Sequence, residues 1–373
     1  MTVDNERFRP TRRSFLAVGA FGLLAASARS KALKPVMEVP EVDSLSVQVV
    51  TDNATFGPFL EDLTLPGMRV RRAGNGGPPH ATQMLPHALM GEFGLSILGV
   101  SKVGSERRTI LIDFGYSPEV LANNLSLLGI EPAAIDAAVL SHGHLDHYGG
   151  FAGVFGSRAQ SPRLLPLTVG GEETFCERVA LIGDPPPLMG TLDRTALARA
   201  GYDVHVAPSP TVIAEHAFTT GVIPLQSFER AAIPTQMRPG VGCERTLLSL
   251  AKRGLVQTAD DGEHELATCY AVKGLGLVVI ASCSHRGVLN SVRRAQAVSG
   301  IDKVHAVIGG FHLVRPRTEE EARRTVAEFV QIDPTYIIPM HCTGEVFIAE
   351  ALRLIPNKIV RSYVGSTFSF GVS

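Results

Sequence analysis

Four side chains that can bind a metal ion lie within six consecutive residues, 142–147. They belong to His142, His144, Asp146 and His147, in the run His-Gly-His-Leu-Asp-His. His142 and His144 are two residues apart, so their side chains point the same way if the chain is extended there. Asp146 and His147 follow and can face a second ion. Imidazole and carboxylate suit Zn²⁺, Mn²⁺ or Fe²⁺, so the pattern predicts a metal centre without selecting the metal.

Three further histidines each follow a predicted strand. His285 follows the strand predicted at residues 275–281, His312 the one at 306–308, and His341 the one at 336–339. Because strand ends can meet at one edge of a sheet, these three are expected near the cluster. Lone histidines elsewhere in the chain are interpreted as surface or core residues; examples are His205, His216, His264 and His305.

Strands and helices that could position these residues alternate along the chain. Residues 109–113 form a short apolar run that ends in Asp113, as buried strands do. Ser117 and Pro118 then supply an N-cap and a first helical residue. The next strand, residues 137–140, runs directly into the histidine cluster. This alternation is typical of an α/β protein.

The chain divides into a short linker and one large domain. Residues 31–45 are interpreted as the linker and residues 46–373 as the domain. A capping box formed by Thr318 and Glu321 begins a late helix of this domain. Proline and glycine interrupt the segment of about 156–265, which is therefore expected to be an insertion over the active site.

The first 30 residues have the form of a twin-arginine export signal. Arg12 and Arg13 precede an uncharged apolar stretch, residues 15–28, which ends in a small-x-small cleavage pattern. This stretch is too short to span a bilayer, which needs about 20 apolar residues. The pattern predicts export through the twin-arginine translocase to the periplasm or the medium, with no stable membrane insertion after cleavage. A basic, unstructured tail is the alternative.

Composition argues against nucleic acid as a partner and favours a small-molecule substrate. The chain has 35 basic and 36 acidic residues and no tryptophan, so it offers neither a basic surface nor a rich stacking platform. Its five cysteines show no C-x-x-C spacing, which argues against a disulfide framework and favours small buried side chains. Cys283 and Cys342 are exceptions, because each lies within two residues of a predicted site histidine.

The motif H-x-H-x-D-H after a strand resembles the hallmark of the metallo-β-lactamase superfamily. The resemblance implies an αββα sandwich of two mixed sheets with outer helices. It also implies two metal ions, the first bound by two histidines of the cluster and a later one, the second by the cluster aspartate, its neighbouring histidine and a final histidine. Asp113 matches a strand-end aspartate that braces the metal loop. The implied ligands are His142, His144 and His285 for the first ion, and Asp146, His147 and His341 for the second.

One feature departs from the family pattern. Many members bridge the two metals with an aspartate at the end of a late strand, whereas here the strand 275–281 is followed by Ser282 and Cys283. Either water alone bridges the ions, or Cys283 or His285 takes that position. His312 is interpreted as a residue that faces the substrate and donates a proton to the leaving group; the alternative is that it replaces the aspartate as a ligand.

The expected reaction is hydrolysis of an ester, lactone, amide or phosphoester by a metal-bound hydroxide, with Asp146 orienting the nucleophile. Further runs, such as Cys283-Ser-His-Arg-Gly and His341-Cys-Thr-Gly, are similar to the dihydropteroate-synthase-like subfamily. Archaeal members are assigned a synthase step that joins a pterin to ribofuranosylaminobenzene 5′-phosphate. That resemblance implies a second candidate, a transferase that displaces pyrophosphate. A non-catalytic exported binding protein is the third. Arg230 and Arg238 could hold an anionic group or could be solvated.

Overall fold

The computed structural model describes residues 35–56, 60–72, 88–154, 163–181 and 183–371. The predicted export signal, residues 1–30, lies outside the described residues. Within the described part of the chain, no helix has the length and apolar character needed to cross a membrane.

The strands described by the structure are β1 Glu41–Val42, β2 Ser44–Thr51, β3 Leu63–Leu65, β4 Met68–Arg71, β5 Ser96–Val103, β6 Glu106–Ile112, β7 Ala137–Leu140, β8 Leu165–Val169, β9 Glu177–Ala180, β10 Tyr202–Val206, β11 Val212–Ile213, β12 Ala217–Thr219, β13 Thr235–Arg238, β14 Thr258–Ala259, β15 Thr268–Val272, β16 Gly276–Ala281, β17 Val304–Gly309, β18 Tyr336–Pro339 and β19 Thr367–Phe370. The α-helices are α1 Pro118–Leu127, α2 Leu145–Tyr148, α3 Arg194–Arg199, α4 Leu250–Arg253, α5 Val288–Ser299, α6 Glu319–Ile332 and α7 Glu345–Leu354.

Two mixed sheets pack face to face. The first has the strand order β10-β8-β7-β6-β5-β2-β19-β4-β3. The second has the order β11-β12-β15-β16-β17-β18, with β1 also paired to β15. Val47 and Ile97 of the first sheet share one buried apolar cluster with Val278 and Ile308 of the second. Burying these faces together is the main apolar driving force for the sandwich.

Helices cover the outer face of each sheet. Val292 of α5, Val326 of α6 and Phe347 of α7 belong to a second buried cluster that lies behind β16 and β17. Leu121 of α1 and Leu197 of α3 belong to a third cluster behind β7 and β8. The four layers confirm the predicted αββα sandwich, and helices such as α1 and α6 present an apolar stripe to their sheet.

Parallel pairing sets the position of the predicted site. In the first sheet β6, β7 and β8 are parallel neighbours, and in the second β16, β17 and β18 are. The predicted strands around the site are confirmed, as is the capping box of α6, where Thr318 Oγ1 accepts from the Glu321 N–H and Glu321 accepts from the Thr318 N–H. The loops after the carboxyl ends of these strands carry the predicted ligands.

The segments interpreted as linker and insertion are both built into the sheets. Residues 41–45, expected in the linker, form β1 and the start of β2, and the N–H of Met37 donates to Val298 O at 3.2 Å. Within 156–265, β8 and β10 extend the first sheet and β11 and β12 the second. The separate part is a small sheet of β14, β13 and β9. Short strands separated by proline and glycine carry too few residues to show a period, so the sequence of this segment is typical of an insertion.

One cysteine expectation is wrong. Cys176 and Cys243, separated by 67 residues, form a disulfide. Cys176 directly precedes β9 and Cys243 follows β13, and the antiparallel register that pairs Glu177 with Arg238 brings the two together. Tertiary pairing of strands distant in sequence created this bond, and cysteine spacing carries no signal of it. The remaining cysteines, Cys269, Cys283 and Cys342, are buried thiols.

Candidate metal centre

The first group of candidate ligands joins the two sheets. His142 follows β7 and His285 follows β16, and their rings lie 4.8 Å apart between centroids. Both side chains are buried, and the Nε2 atom of each has no hydrogen-bond partner. Burial is the main cause that lowers the pKa of both imidazoles well below the usual value, so both are neutral, as metal ligands must be. Buried polar atoms are rarely left unpaired, so these nitrogens fit a metal ion.

His144 lies beside these two rings and is a candidate ligand through its other ring nitrogen. Its ring centroid lies 4.5 Å from that of His142 and 4.7 Å from that of His285. Its Nε2 lies 3.4 Å from Asp260 Oδ2 and 3.3 Å from Thr235 Oγ1. These contacts occupy Nε2, so Nδ1 is the nitrogen left to bind a metal.

The second group lies on α2 and after β18. Asp146 Oδ2 is 3.5 Å from His147 Nε2 and 3.3 Å from His341 Nε2. Both Nε2 atoms are buried and have no hydrogen-bond partner. Burial raises the pKa of Asp146, but His147 and His341 outweigh it and hold that pKa well below its usual range. A permanent carboxylate between two imidazoles is a suitable environment for a divalent cation.

Hydrogen bonds from Nδ1 aim the histidines at the centre. His147 Nδ1 donates to Asp113 Oδ2 at 2.8 Å, and His285 Nδ1 to Ala232 O at 3.3 Å. The Ser141 hydroxyl donates to Asp113 Oδ2 at 2.7 Å, so it accepts from His142 Nδ1 at 2.9 Å. Each bond fixes the ring and leaves Nε2 unprotonated for the metal. Asp113 thus makes the bracing contact that the sequence predicts.

Two residues that sequence reasoning missed hold the backbone of His341. Asp52 Oδ1 accepts from the His341 N–H at 3.0 Å, and Asn53 Nδ2 donates to His341 O at 2.9 Å. Burial raises the pKa of Asp52 to about 6, against the opposing effect of His341. Both residues come directly after β2. An acidic residue at a strand end was the signal that identified Asp113, and the same signal was available at Asp52.

A second missed network supports His144 from the small sheet. Asp260 Oδ2 accepts from Arg178 Nε at 2.7 Å, and both side chains are buried. Arg178 Nη2 also lies 2.9 Å from His264 Nε2. Burial raises the pKa of Asp260, but Arg178, His144 and His264 together outweigh it and hold the pKa well below its usual range. His264, predicted to be a surface or core residue, is a buried member of this network.

His312 lies beside His285 and, like His144 and Asp146, is in neither of the tight clusters His142–Cys283–His285 and His147–Cys283–His341. Its ring centroid is 4.3 Å from that of His285, and its buried Nδ1 has no hydrogen-bond partner. Burial, followed by the charges of His144 and Arg317, lowers the pKa of His312 to about 3. This imidazole is therefore neutral at pH 7.

The backbone turns sharply after four of the strands that end at the centre. Four residues other than glycine have a left-handed conformation there, namely Asp113, Ser284, His312 and His341, with φ of 58°, 61°, 43° and 52°. Side chains other than glycine rarely adopt this region. Such local strain is concentrated at functional sites, where the surrounding structure enforces it.

A cavity of about 830 Å³ lies beside the loops that follow β17 and β18. Its lining includes Leu313, which follows His312, and Gly344, which comes three residues after His341. Arg317 also lines it and donates from Nη2 to His285 O at 3.1 Å. This volume is in the range of small-molecule sites. Arg230 and Arg238 do not line this cavity: Arg230 donates to backbone carbonyls and Arg238 is paired with Glu177.

Comparison with known proteins finds similarity to one superfamily. Residues 101–161 match the model of the metallo-beta-lactamase superfamily. The crystal structure of Tm1679, a metal-dependent hydrolase of the beta-lactamase superfamily, superposes with a TM-score of 0.62 at 22% identity, covering 88% of this chain and 99% of that one. This likeness confirms the fold.

A curated relative from Methanocaldococcus jannaschii is similar over most of its length. It is 7,8-dihydropterin-6-methyl-4-(beta-D-ribofuranosyl)-aminobenzene-5′-phosphate synthase, 29% identical over 282 residues, which cover 72% of this chain and 90% of the relative. An uncharacterized protein of the same organism is 25% identical over 262 residues, covering 69% of this chain and 87% of that protein.

The network behind His144 gives a test. Asp260→Asn removes the charge that holds His144 and Arg178, so metal affinity should fall about 10–100-fold, the usual effect of losing such a supporting contact. Competition with a chromophoric chelator measures this affinity. Asp261→Asn is the matched control, because Asp261 bonds to Lys252 instead, and its affinity should be unchanged. Equal affinities in the two variants would contradict the supporting role.

Proposed function

We propose that the chain is a hydrolase that uses two divalent metal ions, zinc before manganese or iron, on an ester, lactone, amide or phosphoester. The observation that carries the proposal is the set of buried imidazole nitrogens without hydrogen-bond partners at His142, His147, His285 and His341. With His144 and Asp146, they supply three candidate ligands to each ion. When bound, such ions supply an activated water nucleophile and a Lewis acid for the group under attack.

Asp146 would orient the attacking water as well as bind metal. Its carboxylate is ionised and its side chain is 14% exposed, whereas those of His147 and His341 are fully buried. Of these three side chains, Asp146 alone therefore reaches solvent. A hydrogen bond accepted by one of its oxygens would point a lone pair of the water at the substrate.

His312 would act on the leaving group. It follows β17 and lies next to His285, and Gly310, two residues before it, lacks a side chain that would block a ligand. The sequence predicts that His312 donates a proton to the leaving group; because its imidazole is neutral, we propose instead that it donates an N–H hydrogen bond to the leaving oxygen or nitrogen as negative charge develops there. Burial, followed by the charges of His144 and Arg317, keeps it in this form.

A transferase that displaces pyrophosphate from a pterin is the second candidate. The relative named as a synthase, with 29% identity, favours it. Two experiments separate the candidates. The first is metal analysis of the purified full chain by mass spectrometry. The second is a set of assays with chromogenic phosphodiesters, lactones and esters and with a pterin pyrophosphate. Product formation that requires an amine acceptor would support the transferase, and a metal-free native chain would support the non-catalytic binding protein.

The metal centre itself is tested by His142→Ala combined with His144→Ala. This variant should lose bound metal and activity while keeping its circular dichroism spectrum, because the sandwich core does not depend on these side chains. His205→Ala is the control, since His205 is half exposed and pairs with Asp203 at 3.1 Å. Unchanged metal content in the double variant would end the proposal.

His312→Ala tests the assignment on the leaving group. The variant should keep both metal equivalents and lose about 10²–10⁴-fold in kcat, the range for a positioned proton or hydrogen-bond donor. Elemental analysis and steady-state kinetics on the same preparation give both values. Loss of one metal equivalent would instead make His312 a ligand.

We also propose that the protein is exported folded to the periplasm or the medium through the twin-arginine translocase, which would let metal load before transport. The pattern in residues 1–30 supports this. Arg12→Lys with Arg13→Lys should leave the precursor unprocessed in the cytoplasm, as judged by fractionation and immunoblotting. The export proposal would be contradicted if this variant were processed normally. It would also be contradicted if processing stopped only when the route for unfolded chains was blocked.

A further inference from the structure

Cys283 lies between the two groups of candidate ligands. Its Sγ is within 4.8 Å of ligand nitrogens of His142 and His285 on one side, and of His147 and His341 on the other. Cys283 is the second residue after β16 and is 3% exposed. Among the described residues, it is the one side chain common to both groups.

We propose that the thiolate of Cys283 is a ligand shared by both metal ions, in the position where many members of the superfamily carry an aspartate. This inference rests on the proposed metal centre and specifies its ligand set. Zinc bonds of about 2.3 Å to sulfur and about 2.0–2.1 Å to nitrogen place ligand atoms on one tetrahedral ion roughly 3.5 Å apart. The observed separations require only small movements to reach that value.

Charge favours an anionic ligand at this point. Imidazoles carry no negative charge, and Asp146 is the carboxylate that faces the Nε2 atoms of His147 and His341, whereas Asp113 contacts His147 from its Nδ1 side. A thiolate would add negative charge directly at two divalent ions in a buried site. On metal binding the S–H bond of Cys283 breaks, its proton passes to solvent buffer, and the sulfur lone pairs form the two metal bonds. No oxidant or reductant is involved.

Cys342 is a neighbour of this sulfur and not a candidate ligand. Its Sγ lies 3.1 Å from Cys283 Sγ and 3.6 Å from Cys283 O, and it is absent from both groups. It can donate its S–H to the Cys283 thiolate. Because both thiols are buried in the same place, Cys342 offers a matched control for any substitution at Cys283.

The test uses the full chain reconstituted with cobalt(II), whose bonds to thiolate give a near-ultraviolet charge-transfer absorption. The wild-type protein, with free thiols verified by mass spectrometry, should bind two cobalt equivalents. The absorption should grow through both equivalents, because each ion bonds to the same sulfur. Cys342→Ser should keep the stoichiometry and the band. Cys283→Ser should lose the band and bind the second equivalent at least 10-fold more weakly.

Cys283→Asp keeps the proposal testable if the serine variant fails to fold. It restores the usual bridging group, so it should bind two cobalt ions without the thiolate band. The role of Cys283 would be overturned, with the metal centre left intact, by either of two outcomes. One is that the wild type binds two ions without the thiolate band. The other is that the band persists in Cys283→Ser or Cys283→Asp. Saturation of the band at one equivalent would overturn the sharing. A wild-type chain that binds no cobalt would overturn both this inference and the proposed function.

Discussion

The buried carboxylate of Asp113 is the contact on which the metal loop depends. It is fully buried and accepts from the N–H and hydroxyl of Ser141 and from His147 Nδ1. A buried carboxylate is stable only when such donors surround it. Those donors thereby acquire fixed orientations, so the cost of burying one charge is offset by the same bonds that aim His142 and His147. The orientations of His142 and His147 therefore follow from the hydrogen bonds to Asp113.

The second half of the site comes from the opposite sheet. His285, Cys283 and His341 follow strands β16 and β18, whereas the cluster at 142–147 follows β7. Ions bound between them would connect the two sheets across the edge of the sandwich. Metal that binds the folded chain in preference to the unfolded one stabilises the fold by mass action, so the packing of the sheets and occupancy of the site are thermodynamically linked.

The strands around the site, the αββα layers and the candidate ligands were predictable, because local spacing and strand ends encode them. Arg178, Asp260 and His264 were not, since they lie on or after the short strands β9 and β14 and meet only because both strands pair with β13. The disulfide Cys176–Cys243 depends on the same register. The sequence left open what stands in place of the bridging aspartate, and only the relative position of both sheets puts Cys283 between the two groups.

The left-handed backbone at Asp113, Ser284, His312 and His341 bears on how this chain can change over evolutionary time. Each such conformation costs a residue with a Cβ about 1–2 kcal/mol, a cost that glycine avoids. A lineage released from the need for activity would gain stability by replacing His312 with glycine, because its buried Nδ1 has no hydrogen-bond partner, whereas the same change at Asp113 would remove three hydrogen bonds. Descendants that have lost their chemistry should carry glycine at position 312 and should melt at a higher temperature than the active parent.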